Sequence, residues 1–126
     1  MNEISDQLKT IGEFLSEHSI SESIGVNNRR NLRIYHHYIA ERTFIFIEYQ
    51  KDHPAQNHPK ILVLLNVIDE QIKIFKTGKG SIEPLISSVR QLIQELDVIL
   101  KPYIKAKNTN ENQGVSNPQE LIIDGK

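Results

Sequence analysis

The apolar stretch LRIYHHYIAERTFIFIEY, residues 32–49, decides the fold that the sequence predicts. Its β-branched and aromatic residues are typical of strands, so it predicts a β-hairpin with strands 32–39 and 42–49. Because side chains alternate along a strand, the hairpin has two faces, and the face that begins at Leu32 is the better core candidate. The rings and basic side chains on the opposite face are Arg33, Tyr35, His37, Phe44 and Phe46.

A second apolar stretch, ILVLLNVIDEQIKIFK at residues 61–76, predicts a second hairpin. Its strands are 61–68 and 71–76, joined by a tight turn at Asp69 and Glu70. A polar loop with two prolines, residues 50–59, separates the two hairpins. Together the hairpins predict a four-stranded antiparallel sheet.

Amphipathic helices are predicted on both sides of this sheet. Residues 3–17 carry apolar side chains at helical spacing, and residues 82–104 form a longer helix of the same kind. The fold class is therefore α+β, a single domain over residues 1–104, with the two helices covering one sheet face jointly or both faces. Residues 105–126 have little apolar content, which predicts a flexible tail.

Length and composition exclude several kinds of protein. A chain of 126 residues without cysteine has no disulfide framework, thiol nucleophile or cysteine zinc site, and this suits the reducing cytoplasm. No apolar run is long enough for a membrane span. The polar, acidic beginning MNEISDQLK is unlike a signal peptide.

The net charge of −1 hides an uneven distribution along the chain. Residues 29–42 hold four arginines and one glutamate (+3), whereas residues 1–28 hold one lysine and five acids (−4). Arginines next to aromatic rings suit stacked single-stranded nucleic acid or a partner surface. The alternative is that a helix covers this face and that the acidic first helix neutralises the basic segment. The candidate face consists of Arg29, Arg30, Arg33, Tyr35, His37, Phe44 and Phe46.

The loop Gly78, Lys79, Gly80 and Ser81 joins the second hairpin to the long helix. Backbone N–H groups, a lysine and a helix N-terminus are the elements of an anion site. The alternative is that the glycines only supply the positive φ that a tight turn needs.

The long helix is a candidate for self-association. It is longer than the predicted strands, and its heptad spacing continues into the part that overhangs the sheet. Something apolar should meet that part, and a two-fold dimer is the simplest arrangement. The residues of this candidate contact are Leu92, Leu96, Ile99, Leu100 and Tyr103.

No catalytic, cofactor-binding or metal-binding pattern emerges, so we expect no cofactor and favour a protein without enzymatic activity. The predicted function is a small cytoplasmic protein–protein interaction or regulatory protein, such as an adaptor, inhibitor or immunity protein, that associates with itself. The alternative is a nucleic-acid-binding or nuclease-type module that uses the arginine–aromatic face. No membrane partner is expected.

Overall fold

The computed structural model describes residues 3–113, and this part of the chain contains four α-helices and no strand. A short 3-10 turn, Glu22–Ile24, lies between the first two helices. The predicted α+β fold with an antiparallel sheet is therefore wrong, and the chain forms a helical bundle. The helices are α1 (Glu3–His18), α2 (Val26–Asp52), α3 (Pro59–Lys76) and α4 (Glu83–Gln113).

The first predicted hairpin is the middle of α2. Leu32, Ile39 and Phe46 are fully buried and follow one another at seven-residue steps, which is two helical turns. Ala40 and Glu41, which separate the two predicted strands, lie within the helix and have good helix propensity. The β-branched and aromatic residues around them have a strand preference that depends on packing, and here helical packing decides.

The second predicted hairpin is α3. Its buried positions Ile61, Leu65, Ile68 and Ile72 are spaced four, three and four residues apart. Asp69, assigned above to a turn, is an exposed helical residue, and its carboxylate lies 3.2 Å from the Lys73 ammonium one turn later.

Both predicted helices are present. The predicted apolar stripe of α1 is buried. Buried as well are Ile82, just before α4, and, on α4, Ile86, Val89, Ile93, Leu96 and Leu100. Helix α4 continues through Pro102 to Gln113, so residues 105–113 of the predicted tail are helical. The rest of that tail lies outside the described residues.

Polar contacts between α2 and α4 define how the helices are arranged. Asn28 Nδ2 donates to Glu83 Oε2 (3.0 Å), Arg90 Nε donates to the Tyr35 hydroxyl (2.9 Å), and Arg42 Nε donates to Asp97 Oδ1 (2.8 Å). Both partners advance by seven residues at each step, so α2 and α4 run parallel.

Helix α1 packs against α2 and α3, and α4 packs against the same two helices. The chain therefore places α1 diagonally opposite α4, and α2 diagonally opposite α3. One apolar stripe from each helix meets in the centre, where Leu8, Leu32, Leu65 and Leu92 are all essentially inaccessible to solvent. The outer sides of α1 and α2 lie next to each other on one surface of the bundle.

Candidate functional site

A groove of about 640 Å³ runs between α1 and α2 on the outside of the bundle. Its floor is largely apolar and includes buried core residues of both helices. Two small residues help to keep it open, because Gly12 and Ala40 place no long side chain over the helix contact. The apolar and small residues that line it are Leu8, Gly12, Ile39, Ala40, Thr43, Phe44 and Ile47.

Hydrogen bonds fix the floor of this groove. The Nδ1 atom of His36 lies 3.1 Å from the Gly12 carbonyl oxygen, which ties α2 to α1 at mid-groove. The Thr43 hydroxyl donates to the Ile39 carbonyl at 2.7 Å, so its polar atom is satisfied within α2. The floor therefore presents mainly carbon atoms to whatever binds there.

Phe44 stands on the α2 rim of the groove with 71% of its surface exposed. A phenyl ring in water loses the favourable free energy that burial would give it. Isolated exposed apolar residues are common, but this one adjoins an apolar groove. The ring and the groove together form a continuous apolar surface.

Exposed charged and polar side chains form a row on each of the two helices, on α1 within the lining of the groove and on α2 beside its lining residues. On α1 the row is Lys9, Glu13 and Glu17, at four-residue steps. On α2 the row is Arg33, His37 and Glu41, at the same spacing. Within the described residues Glu13, Glu17 and Arg33 take part in no ion pair, whereas Glu41 lies 3.2 Å from Arg42.

Helix formation divides the predicted arginine–aromatic face. Phe46 is buried in the core, and Tyr35 turns towards α4, where its hydroxyl accepts a hydrogen bond from Arg90. Arg29 and Arg30 lie in the first turns of α2. Arg33, His37 and Phe44 stay together on the outer side of α2, because spacings of four and seven residues keep side chains on one side of a helix.

The predicted anion loop, Gly78 to Ser81, connects α3 to α4. Gly78 has a φ of +80° and donates its N–H to the Phe75 carbonyl at 2.9 Å, which ends α3. A carboxylate of this chain lies at the start of α4: hydrogen bonds from Asn28, from the Ser81 hydroxyl and from its own backbone N–H lower the pKa of Glu83. An external anion bound at this loop would therefore lie next to the Glu83 carboxylate of the same chain.

The residues of the predicted self-association contact lie against the rest of the bundle. Leu92, Leu96 and Leu100 are buried in the core, and Ile99 and Tyr103 are half-buried. The apolar surface that the long helix was expected to offer to a second chain is covered by the other helices. The predicted contact assumed that the long helix overhangs a sheet. The structure has no sheet in the described residues, and α4 packs against α2 and α3 instead.

A second cluster lies at the end of the bundle where α2 ends. The Tyr103 hydroxyl donates to Asp52 Oδ2 at 2.7 Å, and this hydrogen bond raises the pKa of Tyr103. Lys107 Nζ lies 3.5 Å from the same hydroxyl, and the hydrogen bond between them raises the pKa of Lys107. These groups satisfy one another, so the cluster is a structural connection between α2 and α4.

His58 lies at the start of α3 and is 7% exposed. Its ring packs edge-on against Phe46, with centroids 5.2 Å apart, and also lies beside Tyr49. Its Nε2 atom is buried and has no hydrogen-bond partner. Burial lowers the pKa of His58, which favours the neutral ring.

The groove was not predicted from the sequence. Its signals were Gly12 in the middle of an otherwise regular helix and the row Lys9, Glu13 and Glu17. Both lie on α1, which was correctly predicted as a helix, but the groove exists only once residues 32–49 are helical as well.

Comparison with family models, with curated proteins and with solved structures found no match for this chain. Within residues 3–113, no helix is long and apolar enough to cross a bilayer. The same part of the chain has no group of three or more histidine, aspartate and glutamate side chains placed to hold a metal ion.

Proposed function

We propose that this chain is a non-catalytic protein-interaction module, and that the groove between α1 and α2 receives the apolar face of a helix from a protein partner. The observation that carries the proposal is the continuous apolar surface formed by the groove floor and the exposed ring of Phe44. We place this interaction in the cytoplasm, which suits a chain without cysteine.

A helix is the occupant that best fits the shape of this surface. The groove runs between two neighbouring helices, and helices pack by setting a ridge of side chains into such a groove. Amphipathic helices use the same arrangement when they bind apolar grooves, with anchors at spacings of three, four and seven residues. The exposed charged rows on both sides would then form the polar rim that surrounds the apolar centre of an interface.

Charge favours a protein over a nucleic acid here. Arg33 stands on one rim, but Glu13 and Glu17 stand on the other, and these carboxylates would repel a phosphate backbone lying along the groove. Arg30 in the first turns of α2 is exposed, so nucleic acid is the alternative that the experiment has to distinguish from a protein partner.

Photo-crosslinking tests the proposal. A benzoylphenylalanine in place of Phe44, in the full chain produced in its native cells, should crosslink to protein, and the linked peptide should be the apolar face of a helix. The matched control places the same group at Val98, an apolar residue with 68% exposure on the outer side of α4. Equal crosslinking from both positions, or a crosslink from Phe44 to nucleic acid, would contradict the proposal.

A further inference from the structure

We propose that the helix received by the groove belongs to a second copy of this chain, so that two copies bind through their α1 and α2 surfaces about a two-fold axis. This inference rests on the proposed function and identifies its partner. It is carried by the match between the exposed rows on the two sides of the groove.

The relative positions of the two rows along the bundle axis, called their heights below, follow from contacts within one copy. A Cβ atom on Gly12 would lie 3.7 Å from Ile39 Cγ2, and the Gly12 carbonyl contacts His36. Gly12 is therefore level with the segment 36–39, and Glu13 is level with His37. Because α1 and α2 are antiparallel, four-residue steps from this point set Glu17 level with Arg33.

A two-fold axis along the groove, parallel to both helices, places α1 of each copy over α2 of the other. Such a rotation leaves every residue at its own height along the axis. Glu17 of one copy then meets Arg33 of the other, and Glu13 meets His37. Four residues from Glu13 and His37 in the other direction, Lys9 of one copy meets Glu41 of the other. All three pairs therefore combine an acidic with a basic side chain.

The apolar surface follows the same symmetry. The two Phe44 rings come to the same level on opposite sides of the axis, and each can be covered by the partner's groove. A two-fold axis across the helices would instead lay α1 on α1 and α2 on α2 in antiparallel order, which sets Glu13 of one copy against Glu13 of the other when Lys9 meets Glu17. Only the axis along the groove lets every pair of the two rows combine opposite charges, and this favours that arrangement.

Charge reversal tests the pairing by sedimentation equilibrium at low salt. The wild-type chain should form a dimer. Glu17→Arg alone and Arg33→Glu alone each replace two attractive contacts by two repulsive ones, and each should raise the dimer Kd about tenfold. The control Lys101→Glu reverses an exposed charge on α4, away from this surface, and should leave Kd unchanged.

Recovery of the dimer distinguishes pairing from general damage. An equimolar mixture of the two single variants restores both contacts, as does the chain carrying Glu17→Arg and Arg33→Glu together, so both samples should recover wild-type dimerisation. Weakened singles without recovery, or a wild-type chain that stays monomeric at the highest concentration, would overturn the inference. A monomeric wild type that still crosslinks from position 44 to a helix of another protein would leave the proposed function standing.

Discussion

The guanidinium of Arg42 on α2 and the carboxylate of Asp97 on α4 form an ion pair with Nε and Oδ1 2.8 Å apart. Their side chains are only 18% and 22% exposed. The guanidinium also lies over the Tyr38 ring, 5.1 Å from its centroid. This pair is the last of the three contacts, at seven-residue steps, that hold α2 parallel to α4.

Removing one partner of this pair should destabilise the bundle. Asp97→Ala leaves a mostly buried guanidinium with only the exposed Glu41 carboxylate beside it, and we expect the free energy of unfolding to fall by about 2 kcal/mol. The control is Asp69→Ala, whose ion pair with Lys73 is exposed and should contribute less than about 0.5 kcal/mol. Urea denaturation measures both, and equal losses would show that the Arg42–Asp97 contact does not secure α4.

Two glycines should respond in opposite directions to alanine. A Cβ on Gly12 would make only ordinary contacts, 3.7 Å from Ile39, so Gly12→Ala should stabilise α1 by about 0.5–1 kcal/mol. Gly78 has a φ of +80°, and Gly78→Ala should destabilise by about 1 kcal/mol, since an L side chain is strained there. Thermal unfolding of both variants checks the helix assignment of residues 3–18, because a destabilising Gly12→Ala would contradict it.

The stability of the bundle should fall on acidification because of His58. Burial lowers the pKa of His58 in the folded chain below its ordinary value of 6.5, so the unfolded chain binds a proton more readily. Stability should therefore decrease as the pH falls below 6.5 and level off below the folded-state pKa. The rings of Phe46 and Tyr49 that face the imidazole offer no carboxylate to offset its charge.

The variant His58→Phe keeps a ring in this position and removes the titration. The difference in unfolding free energy between wild type and variant, measured by urea titration at several pH values, should shift in favour of the variant as the pH falls. The other four histidines are common to both chains and cancel. A difference that does not change with pH would contradict this assignment of His58.

Phe44→Glu should separate binding from folding. The ring is mostly exposed, so we expect a change in unfolding free energy within about 0.5 kcal/mol. The same change puts a carboxylate on the apolar surface of the groove and should abolish dimer formation, as measured by light scattering after size exclusion. Val98→Glu is the matched control, and dimer loss in both variants would argue against the groove.

The sequence predicted the two terminal helices because their apolar residues fit only one period. In α1, Ile4, Leu8, Ile11 and Leu15 are separated by polar residues, which leaves no room for strand alternation. In residues 32–49 and 61–76 apolar residues occur at both two-residue and helical spacings, so β-branched content favoured strands. The stripe Leu32, Ile39 and Phe46 fitted a helix equally well, and packing against α1 and α4 decided between the two.

The sequence could predict only those residues of the candidate site that lie on one side of the chain in a strand and in a helix alike. Arg33, His37 and Phe44 share one side in either conformation, and they remain beside one another at the groove. Tyr35 and Phe46 do not, because two residues correspond to about 200° around a helix and place them on other sides. The groove itself depends on how two helices pack, which no local pattern in the sequence describes.

Methyl NMR spectra of the full wild-type chain, recorded over a wide dilution series, show directly whether two copies bind through the α1 and α2 surfaces. If the α1 and α2 groove is where two copies bind, the methyl resonances of Ala40 and Ile47 should shift with concentration. Those of Val63 and Val67, which are exposed on the outer side of α3, should stay fixed. Shifts confined to Val63 and Val67, or no shift at any concentration, would contradict the claim.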